Sequence, residues 1–273
     1  MSLATQPFFI VSSGRSGTAM LHKALSAAGD IEMHHEYMVH IVQPLAVRRY
    51  VGLVGTDETG KILLETHAAA IRYTQTAHWG DSSNKLSWLI PDLAALLPNA
   101  KFVHLVRDGR KVAGSYFRKL GDECYDDCST AILQAFLDDP ASNQAPPPEK
   151  KYWWPIPRDP KFRKFDQFER IAWHWAEINR VIFDSLAASP VTQSHFVRLE
   201  DLYTSPIAVK GLFHFLNLPY RDEHFAVFAR PHNVNRPRDE TLSREQAEQF
   251  DTIAGAMMAR LGYADTSEYV VNY

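Results

Sequence analysis

The chain has 273 residues, 45% of them hydrophobic, and a formal net charge of -3. That length holds one large α/β domain or two small ones with a sizeable core, and the near-balanced charge excludes the global basic field of a dedicated nucleic-acid binder. Only two cysteines occur, Cys124 and Cys128, too few for a disulfide framework, and no apolar run reaches the roughly 18 residues that span a bilayer.

Met1 to Pro7 lacks the basic segment, apolar stretch and cleavage site of a signal peptide, so a reducing, cytoplasmic setting is expected. Phe8 to Ser12 (FFIVS) is a short run of strand formers. The glycine-containing loop Ser13 to Gly17 follows, and Thr18 to Ala28 then shows helical spacing at Met20, Leu21, Ala24, Leu25 and Ala28. A short strand is expected at Ile31 to His34. The alternation recurs with Leu86 to Leu97 as helix, Lys101 to Val106 (KFVHLV) as buried strand and Lys111 to Leu120 as helix. Phe165 to Ala188 reads as a long helix, His195 to Leu199 as a late strand and Pro206 to Leu216 as a helix. Strands separated by helices require parallel crossovers, so the pattern predicts one α/β domain over residues 1–273 around a central parallel sheet.

Asp139 to Lys164 breaks the pattern. Its seven prolines forbid regular helix. Tyr152, Trp153 and Trp154, expected to be exposed, and Lys150, Lys151, Arg158, Lys161, Arg163 and Lys164 make it either a surface connection or a mobile lid over a binding site.

Two motifs carry chemistry. In Ser13-Gly14-Arg15-Ser16-Gly17-Thr18, glycines let backbone N–H groups close around an anion, the helix start adds its positive end, and Arg15 adds a full charge. The loop is no Walker motif, because two residues rather than four separate its glycines and no Gly-Lys-Ser/Thr follows. The second motif is Phe102 to Lys111 (FVHLVRDGRK). Arg107 leaves the carboxyl end of a strand, where open α/β sheets bind ligands, and Ser115 lies about two turns into the next helix, so both can face one phosphate. His35-Glu36-x-x-x-His40 is one residue too long for a helical zinc pair, and the two cysteines lack placed histidines, so no metal is expected.

With a third motif, Phe196-Val197-Arg198-Leu199-Glu200-Asp201-Leu202 followed by Pro206 and Phe215 to Pro219, the chain resembles the sulfotransferases that use 3′-phosphoadenosine 5′-phosphosulfate (PAPS). The resemblance runs from Phe8 to about Arg238 and is closer to tyrosylprotein and bacterial-type members than to cytosolic small-molecule ones. It implies a three-layer sandwich related to P-loop nucleotide kinases, and sulfuryl transfer from PAPS to a hydroxyl or amine on a small-molecule, carbohydrate or peptide acceptor. It assigns Ser13 to Thr18 to the 5′-phosphosulfate, Arg107 and Ser115 to the 3′-phosphate, and Arg236, in a loose counterpart of a basic C-terminal loop, to the same phosphate. Lys85 stands where relatives place an active-site lysine; as a bare sequence position it is equally a solvated helix-start residue. Ser87 occupies the place of the histidine base of cytosolic members, so the base moves to Glu36, which stands where other members carry a glutamate, with His35 as second candidate. Met20 and Leu199 replace aromatic residues frequent in the family. A P-loop-like small-molecule kinase, or a non-catalytic module binding the nucleotide PAP or a glycan, are the alternatives.

Overall fold

The two central strands are the most apolar ones, as a sheet covered on both faces demands. Phe8, Ile10, Val103 and Leu105 point to one face, whereas Phe9, Val11 and Phe102 point to the other, and all seven are fully buried. The computed structural model describes residues 5–188, 193–228 and 241–268. Within them the order is β1 (Gln6–Val11), α1 (Thr18–Ser26), β2 (Ile31–His35), α2 (Val39–Tyr50), α3 (Thr56–Leu63), α4 (Ala69–Tyr73), β3 (His78–Ser82), α5 (Ile90–Leu96), β4 (Lys101–Val106), α6 (Gly109–Lys119) and α7 (Asp127–Asp138). After a long irregular segment follow α8 (Gln167–Ala187), β5 (Gln193–Arg198), α9 (Leu199–Thr204), α10 (Pro206–Phe215), α11 (Asp222–Phe228) and α12 (Arg244–Arg260).

All five strands form one parallel sheet in the order β2-β3-β1-β4-β5. Helices α1, α9, α10 and α11 cover one face, and α2, α3, α5 and α8 cover the other, giving the expected three-layer α/β architecture. The chain leaves β1 toward β3 and β2 and later crosses to β4 and β5. The carboxyl ends of β1 and its neighbours therefore border the crevice where such sheets bind ligands.

Local chemistry sets the helix ends. Asp108 caps α6 by accepting from the Arg110 N–H, and Asp166 with Glu169 forms a reciprocal capping box at α8. The helix expected over Leu86 to Leu97 is split: a 3-10 turn at Leu86–Trp88 precedes α5, and Pro91 lies in the first turn of α5, where its missing N–H costs no helical bond. The strand β3 lay outside the sequence pattern. Its residues, His-Trp-Gly-Asp-Ser, contain a single large apolar side chain.

The segment between α7 and α8 is irregular as expected, with short 3-10 turns at Lys150–Tyr152 and Phe162–Lys164. Its tryptophans, however, are not exposed. Trp153 and Trp154 are 2% and 7% exposed and sit in a core cluster with Tyr116, Tyr125, Phe136 and Trp175. Their indole N–H groups donate to Pro147 O and Glu123 O, both at 2.7 Å. Prolines prevent the segment from satisfying its own backbone, and the indoles supply part of what is missing while filling the core. Trp153→Ala should therefore cost about 3–5 kcal/mol of folding stability, as for other buried Trp truncations. Denaturant unfolding measures it; a loss under 1 kcal/mol would return these rings to an exposed lid.

Candidate active site

The cradle loop is built by close approach. Gly14 and Gly17 have φ of +77° and +92°, and Arg15 between them is also left-handed at φ 53°. A Cβ on Gly14 would lie 2.0 Å from the Tyr116 hydroxyl, and one on Gly17 would lie 2.5 Å from Leu199 Cδ1. Left-handed backbone at a residue other than glycine is costly, and it persists where the surroundings enforce it. Here the Ser13 and Ser16 hydroxyls lie 3.0 Å apart, Ser16 Oγ donates to Gly14 O, and Ser12 Oγ accepts from the Gly14 N–H. Gly17 begins α1 without a side-chain cap, so the first turn, starting at Thr18, meets the cradle with its N–H groups uncapped.

Ser87 pins the loop's entry. Its Oγ accepts from the Ser12 N–H and donates to the Ser12 carbonyl, both at 3.0 Å, and it is fully buried. The residue standing in the histidine-base position thus serves the loop's backbone.

From β4 and α6 come the partners expected for a phosphate. Arg107 Nη1 donates to the Arg15 carbonyl at 3.1 Å, and Arg15 Nε donates to Ser115 Oγ at 3.0 Å. Ser115 and Tyr116 are consecutive on α6, about 100° apart around the helix. Ser115 therefore meets the Arg15 side chain while Tyr116 donates its hydroxyl to Ser13 O at 3.0 Å. Arg15, Arg107 and Ser115 are brought together at the cradle, as the sequence indicates. Arg236 lies outside the described residues.

A second cluster faces the ends of β2 and β3. Glu36, left-handed at φ 57°, is fixed by donation of its N–H to Ser82 O, and the following Tyr37 N–H donates to Asp81 Oδ1. Lys85 Nζ donates to Glu36 Oε1 at 3.1 Å and to Asn84 Oδ1 at 2.7 Å. Asn84 Nδ2 in turn donates to the Tyr116 hydroxyl at 3.4 Å, which ties this cluster to Ser13. Lys85 is only 8% exposed, so the surface reading of this lysine is excluded. His35 points elsewhere along the edge: its Nδ1 lies 3.0 Å from Ser82 O and 2.9 Å from Ser82 Oγ. Because a carbonyl only accepts, the first contact puts the ring proton on Nδ1.

Sequence reasoning missed the third charge. Lys150, from the irregular segment, donates to Glu36 Oε2 at 2.5 Å. Burial pushes the Glu36 carboxyl up, but the ammonium groups of Lys85 and Lys150 outweigh it and hold the carboxyl at about 2. Burial lowers the Lys85 ammonium, and Glu36 opposes that loss. Behind Lys85 the Trp154 ring lies 5.5 Å from Nζ, and buried His174 is pushed down to about 3 by burial and by Lys85. Among the described residues no group of three or more His, Cys, Asp or Glu side chains could hold a metal ion. Nor is any helix there long and apolar enough to cross a membrane.

Residues 7–141 match the model described as the sulfotransferase family, a span that contains the cradle, Glu36, Lys85, Arg107 and Ser115. Residues 7–141 belong to the sulfotransferase family. Among solved structures, a sulfotransferase from Alicyclobacillus acidocaldarius is similar over 97% of this chain and 98% of its own, with TM-score 0.53 and 14% identity. The sulfotransferase domain of the Synechococcus PCC 7002 olefin synthase is similar over 97% and 96%, with TM-score 0.51 and 14% identity. At these identities the likeness concerns the fold. No curated protein matches the sequence.

The Glu36 ion pairs make a pH-dependent contribution to this sulfotransferase fold. The carboxyl is depressed from 4.5 to about 2, so its contribution is complete above pH 4.5 and is lost as pH falls toward 2. Glu36→Gln should lower stability by roughly 1–3 kcal/mol at pH 7, with the gap closing over that window. Urea titrations at pH 7, 4.5 and 3 test it; a constant gap at all three would show that charge is not the cause.

Proposed function

We propose that this protein transfers a sulfuryl group from PAPS to a hydroxyl or amine acceptor. The observation that carries the reading is the convergence on one cradle of two clusters, Arg15 with Arg107 and Ser115, and Lys85 with Glu36. The first offers two guanidinium groups and a hydroxyl around a backbone nest, a donor set suited to phosphate and phosphosulfate oxygens. The second offers a carboxylate and a buried cation beside it, which is what the reacting end requires.

In the proposed step the acceptor oxygen attacks sulfur in line with the bridging S–O bond, that bond breaks toward the phosphate, and PAP leaves. The acceptor's proton goes to the Glu36 carboxylate. Arg15 and Lys85 stabilise charge on the sulfuryl oxygens and the bridging oxygen, where fixed cations in a site of low water content act most strongly. His35, whose Nδ1 is occupied by Ser82, would present Nε2 as the alternative base. The link from Lys85 through Asn84 and Tyr116 to Ser13 favours catalysis over a non-catalytic binding module.

PAP should bind without magnesium, and Arg107→Ala should weaken it about 10- to 100-fold while affecting adenosine 5′-phosphosulfate little, since the lost partner serves the 3′-phosphate; this corresponds to about 1.5–3 kcal/mol for a charge-assisted bond. Calorimetry decides: equal losses for the two nucleotides reject the assignment, and magnesium-dependent ATP binding in place of PAP revives the kinase alternative. Glu36→Gln should lower turnover of PAPS by about 10²–10⁴ while leaving PAP affinity nearly intact. If instead Glu36→Gln keeps near-normal turnover and His35→Ala loses it, the base is His35.

A further inference from the structure

The Glu36 carboxylate accepts one ammonium group on each oxygen, and the two lysines differ in how they are held. Lys85, with its side chain 10% exposed, is connected to the cradle through Asn84 and Tyr116. Lys150, with its side chain 43% exposed, belongs to the irregular segment between α7 and α8. Its carbonyl accepts from Gln43 Nε2 at 2.9 Å, and the same Nε2 donates to Trp153 O at 2.6 Å. Gln43 is a buried residue of α2, the helix that begins three residues after Glu36. The turn bearing Lys150 is therefore fixed from the element that continues Glu36, and buried Trp153 and Trp154 anchor its other side.

A carboxylate paired with two cations has little affinity for a further proton, so a base in that state must lose one of them before it can act. Lys85 is the one in line with the cradle and can be drawn to an incoming anion. We infer that Lys150 is the positioning residue of the base: it keeps Oε2 while Lys85 leaves Oε1 for the donor, and so sets the direction of the carboxylate and its readiness to take a proton. The inference rests on the sulfuryl-transfer reading for its consequence, although the Lys150 contact itself does not depend on it. Among the described residues, the charged groups facing Glu36 are Lys85 from the loop after β3 and Lys150. His35 on the same strand turns to Ser82, and the buried Tyr116 phenol on α6 is pushed well up by burial and is neutral.

The variants are Lys150→Met, which removes the charge, and Lys150→Arg, which keeps it; the side chain is half-exposed and the Gln43 bonds use only backbone, so both should fold. Carbon-13 NMR of the glutamate carboxyls, with Glu36→Gln identifying the resonance, reads the base directly in nucleotide-free protein. Lys150→Met should raise the Glu36 midpoint by about 1–2 pH units and Lys150→Arg should bring it back. An unchanged midpoint in Lys150→Met overturns the inference. The pH profile of PAP release from PAPS is the second readout, and its acid limb should move up in Lys150→Met and return in Lys150→Arg. A rate that falls equally at every pH would mark Lys150 as mere scaffolding and also overturn it. If the midpoint moves as expected but the wild type releases no PAP at any pH, the sulfuryl-transfer reading fails while the control of Glu36 by Lys150 stands.

Discussion

A carboxylate can be taken largely out of water only where cations or dipoles replace its hydration, and Glu36 meets that condition with one ammonium on each oxygen. Much of the site's layout follows from this requirement. Glu36 stands at the end of β2, Lys85 just beyond β3, and Lys150 in the irregular segment, 114 residues after Glu36. Bringing them to one point requires β2 and β3 to be adjacent, which the crossover order provides, and requires the irregular segment to fold back over α2. The buried tryptophans of that segment act through the same constraint, because they anchor the side of the Lys150 turn that Gln43 does not hold.

The cradle is governed by a different kind of necessity, the close approach of backbone to side chains. The Tyr116 hydroxyl lies where a Cβ of residue 14 would be, and Leu199 fills the space under Gly17. The glycines therefore serve packing against the fold as well as room for an anion. Leu199 has a place in the same packing: its aliphatic side chain supports the start of α1 from below. Ser87 is a parallel case, a small hydroxyl, buried and committed to both polar groups of the Ser12 backbone.

These particulars show what could be read without coordinates. The alternation of Phe8 to Val11 and of Lys101 to Val106 with helical stretches revealed the parallel sheet, because a covered central strand is an apolar run. Strand β3 was invisible for the converse reason, since His-Trp-Gly-Asp-Ser has no apolar pattern and is recruited by hydrogen bonding between β1 and β2. Arg15, Arg107 and Ser115 were legible because each sits at a fixed offset from a strand end. Lys150 was seen only as one basic residue among several in a proline-rich segment, and its role is created by Gln43 and Trp153, contacts that no local periodicity encodes. The same limit explains the error over Trp153 and Trp154: aromatic residues among prolines look like a surface loop until the partners of their indole N–H groups are known.

The ion pairs also bear on order of events. With Lys85 and Lys150 both in place, Glu36 is held near 2, far below the value that suits a base at neutral pH. Yet Lys85 is buried and its own ammonium is disfavoured there, so Glu36 is what sustains its charge. Under the sulfuryl-transfer proposal, an arriving phosphosulfate would offer Lys85 a second anionic partner and so remove one of the two charges that hold the Glu36 carboxyl down. Donor binding and base activation would then be two sides of one exchange, in which the lysine that leaves the carboxylate is the group proposed to stabilise the bridging oxygen. On that proposal the carboxylate would stay unreactive until the donor is present, and acceptor chemistry would follow donor binding rather than precede it.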